Sequence, residues 1–124
     1  MATIKRFEDL EVWQLARDQA KKIYHLATGI DKKFAAQINA AAGSVMDNIA
    51  EGFDRHTTKD FIHFLLISRG SNAEVRSQVI RGFDQGLFSE LDFESAMRQS
   101  EVIGRKLTAF IKYLRNCKYP AKPG

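Results

Sequence analysis

Three histidines and one cysteine are the residues best suited to metal or nucleophilic chemistry in this chain. Their surroundings do not supply the rest of a site. A di-iron or di-manganese centre in a helical bundle needs carboxylates on facing helices and two Glu-x-x-His pairs. Asp60 and His63 approximate one pair, but His25 and His56 have no acid three residues before them. Cys117 lies between Asn116 and Lys118. A lysine lowers a thiol pKa, yet no histidine stands near in sequence to act as its base. Gly82, Gly86 and Gly104 fall on predicted helices and form no phosphate-cradling loop. The expectation is no enzyme, no metal and no cofactor.

Positive charge offers a different chemistry. Residues 1–60 hold nine Lys/Arg and nine Asp/Glu, whereas residues 61–124 hold ten and six, so the net +4 lies wholly in the second half. From Ile103 onward there are six basic residues and no acid. Arg98, Arg105 and Lys112 recur every seven residues, a row with steps of about 10 Å along a helix. Arg115 stands one turn from Lys112, and Arg69 and Arg76 repeat the spacing earlier in the chain. Such rows meet a phosphate backbone without reading its sequence. The competing reading is a solvated helix face whose cations suit the negative end of the last helix.

Two further stretches have no catalytic explanation. Asn48-Ile49-Ala50-Glu51-Gly52 and Ser68-Arg69-Gly70-Ser71 place small and polar residues on the inner half of two predicted helices. There they decide how closely helices approach. Glu51 sits within the first of these and Glu74 lies three residues after the second, each beside apolar positions. A buried glutamate needs a partner, because an unpaired core charge costs several kcal/mol. Arg55 and Arg69 are the expected partners, in a network that fixes the turn between the second and third helices.

The elements that position these residues are legible from period and punctuation. Trp13, Ala16, Ala20, Ile23 and Ala27 form one face of a helix over 8–27, which Gly29 ends. Phe34, Ile38, Ala42, Val45 and Ile49 mark a second over 31–51, with Gly52 as its stop. Thr57 and Asp60 are spaced as a capping box opening a third, which runs to about Gly86. Phe93, Ala96, Ser100, Ile103, Leu107, Phe110 and Leu114 give a heptad stripe over 89–116, with Arg98, Arg105 and Lys112 at its outermost position. No proline occurs before Pro120, and proline would cost about 3 kcal/mol inside a helix. The expected fold is all-α, an antiparallel up-down-up-down four-helix bundle.

The third helix departs from an amphipathic pattern. Phe61, Ile62, Phe64, Leu65, Leu66 and Ile67 fill six of seven consecutive positions, so apolar surface surrounds its first turns. Either the helix is buried centrally or a second subunit covers it. The second reading is preferred, with Phe61, Ile62, Leu66 and Ile67 at the contact, because every helix of a small bundle has a free side.

The chain length of 124 residues fits one domain, with a core over about 8–116 and a tail at 117–124 expected to be flexible. A single cysteine makes no internal disulfide. The N-terminus has no apolar leader, and the run to Ile67 is far short of the roughly 20 residues a membrane span needs. A cytoplasmic protein is expected.

Phe7-Glu8-Asp9-Leu10-Glu11-Val12-Trp13-Gln14-Leu15-Ala16, then Asn48-Ile49-Ala50-Glu51-Gly52, then Lys59, Phe61, Phe64-Leu65 and Arg69-Gly70-Ser71 through Glu74 occur in order. Over residues 5–115 the chain thereby resembles the bacterial four-helix-bundle proteins first recognised as reading frames within intervening sequences of 23S ribosomal RNA genes. It departs from that pattern at Asp47, Ser68 and Asn72, where serine, alanine and leucine are usual. The last two make the middle of the third helix more polar. The resemblance implies a ring-shaped homo-oligomer of five subunits and no established enzymatic activity. Its architecture is similar to that of the basic bundle rings that accompany diversity-generating retroelements. The functional expectation is an oligomeric bundle that binds RNA or DNA through its basic surface. The alternative is a protein-interaction ring with no nucleic-acid affinity.

Overall fold

A computed structural model describes residues 4–117. A 3-10 turn, Phe7–Asp9, leads into α1 (Glu11–Ala27), α2 (Lys32–Phe53), α3 (Thr58–Asp84) and α4 (Glu90–Arg115). No strand occurs among the described residues. Of the expected tail at 117–124, residues 118–124 lie outside them.

Local capping sets several of the helix ends. Asp31, Thr57 and Ser89 accept a hydrogen bond from the amide three residues on, which caps α2, α3 and α4. α3 ends in a paired closure, Leu87 N–H to Gly82 O and Gly86 N–H to Phe83 O, both 2.9 Å. Gly86 takes the left-handed conformation this requires, φ 75°. Gly29 does the same after α1. Gly52 does not stop α2 as the sequence suggests; it lies inside the helix, buried.

The helices are antiparallel neighbours in chain order, and α1 closes on α4. Contacts between the helices show the directions. Along α2, Gln37, Val45 and Gly52 meet Arg81, Ser68 and Phe64 on α3. Along α3, Phe61, Arg69 and Asn72 meet Phe110, Thr108 and Ser100 on α4. On α1, Glu11 and Lys22 meet Lys106 and Ser95. The up-down-up-down topology follows.

One core runs along the axis. The expected α2 stripe is buried throughout, and so are Ala96, Ser100, Ile103, Leu107 and Leu114 of α4. α1 is rotated slightly from the sequence reading. Val12 and Gln19 are buried, while Trp13 is only partly covered, edge-on to Phe7 with Arg17 over its ring.

α3 resolves the apolar run into two faces. Phe61 and Leu65 are core residues, 2% and 0% exposed. Phe61 wedges between Phe53 and Phe110, with ring centroids at 5.9 and 5.5 Å. It is therefore not available to a neighbouring subunit, which corrects its expected place at a contact. Ile62 and Leu66 are half-buried and Ile67 is 41% exposed. Ile80, further along α3, is 42% exposed.

Candidate nucleic-acid interface

Helical arithmetic puts Arg69, Ala73 and Arg76 of α3 on one side, within about 60° of one another at 100° per residue. On α4 it gathers Glu101, Arg105, Thr108 and Lys112 in the same way. The two sets face each other across the α3–α4 seam and enclose a groove of about 450 Å³. Arg69 and Arg76 form one wall, and Arg105 and Lys112 the other. Between them lie Asn72, Ala73, Ser100, Gly104, Thr108 and Ala109. These are short side chains, so the cations stand above a low floor.

Four of the six sequence-identified basic residues thus line one feature. Arg98 and Arg115 do not line it, although both are exposed on α4, with Arg98 continuing the row one heptad from Arg105. Glu101 is the one acid among the described lining residues; it pairs with Arg105 at 3.6 Å. That pair is exposed and of i,i+4 type, so it contributes about 0.3–0.5 kcal/mol and yields readily to a stronger anion. Arg69 reaches Thr108 Oγ1 at 3.3 Å. Arg76 Nε is buried with no hydrogen-bond partner among the described residues. An unpaired buried donor costs about 1–3 kcal/mol, which an incoming acceptor that approached it would offset.

A polar network underlies the groove. Gln19 Nε2 donates to Asn72 Oδ1 at 3.2 Å, and Asn72 Nδ2 donates to the Ser100 carbonyl at 2.8 Å. All three residues are buried. The network joins α1 to the diagonally opposite α3 and then to α4. Ser68 Oγ adds a bond to the Val45 carbonyl, 2.7 Å, tying α3 to α2. The sequence signal was Ser68 and Asn72 standing where apolar residues are usual. A Cβ on Gly104 would lie 3.4 Å from Asn72 Nδ2, an ordinary contact, so Gly104 sits directly above the network.

Both sequence motifs make contacts along the α2–α3 seam. Asn48 Nδ2 donates to Ser44 O and Oγ, both 2.9 Å, and Ser44 Oγ meets Ser71 Oγ at 2.7 Å. Gly52 lets α2 lie directly on Phe61 and Phe64. Gly70, in contrast, faces open space. Glu51 is exposed and bonds Arg55 at 2.8 Å, while Arg55 also covers the Phe64 ring. The expected pairing of Glu74 with Arg69 does not form: Glu74 faces the α2–α3 side with Gln37 and Arg81, and Arg69 turns to α4.

No cluster of three His, Cys, Asp or Glu residues able to hold a metal occurs among the described residues. Nor is any described helix long and apolar enough to cross a membrane. Cys117 is partly buried; its side chain is hydrogen-bonded to Tyr113, which holds that phenol above its ordinary range.

Comparison with known proteins agrees with the fold. Residues 8–109 match the family described as 23S rRNA-intervening sequence protein. A crystal structure from Bacteroides thetaiotaomicron, at 1.70 Å resolution, belongs to a protein of unknown function from the S23 ribosomal protein family. It is 22% identical, with a TM-score of 0.77 over 82% of this chain and 98% of that one. At that identity the likeness concerns the fold alone. No curated protein gives a significant match.

Proposed function

We propose, from the premise that this chain belongs to the 23S rRNA-intervening sequence protein family, that it is a non-enzymatic accessory bundle that binds RNA or DNA. The observation that carries the reading is the α3–α4 groove: four cations on two walls with one weakly held acid among them. Arg98 extends this positive strip along α4. The contact is with phosphates, because the lining carries cations and short side chains and offers little to read a base edge. Binding is therefore weak per chain and tolerant of sequence.

Assembly would multiply it. Ile67 and Ile80, on opposite flanks of the outer side of α3, are each about two-fifths exposed, which favours association with further copies through α3. The family resemblance suggests a ring of five. Repeating the groove around an axis raises avidity without any new contact.

The test is a mobility shift with RNA and with DNA at about 50 mM salt. Binding should weaken linearly in log affinity against log salt. Replacing Arg98, Arg105 and Lys112 together with glutamine should lower affinity and flatten that slope while leaving helicity and assembly unchanged. No shift with either nucleic acid, or an unaltered shift in the triple variant, favours instead a protein-interaction ring without nucleic-acid affinity.

A further inference from the structure

We infer that the α3–α4 groove takes a single strand, and that a duplex reaches no further than its rim; this rests on the nucleic-acid reading above. The first argument is steric. The major groove of a DNA duplex is about 12 Å wide and admits one helix, and that of an RNA duplex is deep and too narrow even for that. α4 cannot enter alone, because α1 and α3 pack on either side of it at the usual spacing of about 8–10 Å. A duplex therefore meets the bundle as a convex body on a corrugated surface. It touches the exposed Arg105 and Lys112 but not the half-buried Arg69 and Arg76.

A single strand is thin enough to lie between the walls. Its phosphates can then be met from both sides, by Arg69 and Arg76 on α3 and by Arg105 and Lys112 on α4. The groove volume of about 450 Å³ lies within the range of sites that enclose a small organic molecule. The floor is low because of Ala73, Gly104 and Ala109, and carries the exposed hydroxyl of Thr108. That hydroxyl suits sugar and phosphate oxygens. The described lining has no aromatic ring, so bases find no stacking platform of the usual single-strand kind. The backbone is the part that is gripped.

Gly104 separates the two geometries. A leucine there fills the floor and removes no charge. A strand seated in the groove is displaced, whereas a duplex on the rim is not. Ala73→Leu does the same from the opposite wall at an exposed position, and serves should Gly104→Leu disturb the seam above Asn72.

The experiment is fluorescence anisotropy of the full chain with a labelled unstructured RNA strand and with a hairpin duplex of matched length. Circular dichroism checks that each variant folds. The expected result is tighter binding of the single strand by about tenfold, with Gly104→Leu or Ala73→Leu reducing single-strand affinity by about tenfold and leaving duplex binding as it was. Equal or tighter duplex binding overturns the inference but keeps the nucleic-acid reading. So does single-strand binding that survives both folded variants. Failure to bind either probe or its DNA counterpart removes the nucleic-acid reading itself, and the inference with it.

Discussion

Gly52→Ala should destabilise the bundle, while the same change at Gly70 should stabilise it. Both glycines lie inside helices, so both substitutions gain about 0.8–1.0 kcal/mol of helix propensity. They differ in what a Cβ meets. At Gly52 it would stand 2.7 Å from Phe64 Cβ, 3.0 Å from Phe61 Cδ1 and 3.3 Å from the Phe61 carbonyl. Carbon pairs prefer about 3.5–4.0 Å, so α2 must retreat from α3 by roughly 1 Å. Phe61 cannot give way easily, because Phe53 and Phe110 hold its ring on both sides. Overpacking of this kind costs about 1–3 kcal/mol, which outweighs the propensity gain in the upper part of that range. At Gly70 no atom of the described residues lies within 4 Å, and the gain stands. The two variants should differ by about 2–3 kcal/mol, or roughly 10 °C in thermal midpoint for a chain of this size. Thermal melts followed by circular dichroism at 222 nm (the usual helix signal) measure it. A Gly52→Ala midpoint at or above the wild type would refute the close-packing argument. A lowered Gly70→Ala midpoint would instead place a second chain against that surface.

Further outcomes follow from the same geometry. Asn72→Ala strands Gln19 Nε2 in the core and should lower stability by about 1–3 kcal/mol, read from the urea midpoint; the double change Gln19→Leu with Asn72→Leu should cost less than the two single changes summed. Ile67→Asp should lower the sedimentation coefficient while keeping helicity, if copies associate through α3; an unchanged value would free that face from the contact. Phe61→Ala should cost about 3–5 kcal/mol as a core truncation and unfold the chain at lower denaturant. Thr57→Ala removes the α3 cap and should cost about 1 kcal/mol.

The helices were legible because each carried its own period and punctuation. Asp31, Thr57 and Ser89 each sit at the start of an apolar stripe, and all three cap. Phe61–Ile67 was harder. A continuous apolar run has no period, so pattern alone could not tell which side chains turn inward. The packing decided it: Phe61 and Leu65 share a face with Ser68, Asn72, Val75 and Val79, all buried. Polar Ser68 and Asn72 weaken the hydrophobic signal of the true core face, and Ile62, Leu66 and Ile67 strengthen that of the opposite one. Gly52 misled for a related reason. Glycine before a turn looks like a helix stop, yet here the missing Cβ serves an approach between helices that no local pattern displays.

The groove shows why a site can be half visible. Arg69 and Arg76, and likewise Arg105 and Lys112, announce themselves by heptad spacing, because each pair lies on one helix. That the two pairs face each other depends on the antiparallel register of α3 and α4, which no single helix encodes. The Asn72–Ser100 bond at 2.8 Å falls between the two walls. An apolar residue at position 72 would leave the helices free to slide by a turn at the cost of packing alone. The buried amide adds the loss of its hydrogen bonds, with the Gln19 partner stranded too. Polarity in the middle of α3 thus holds the walls in register, and the cations above it face one another for that reason.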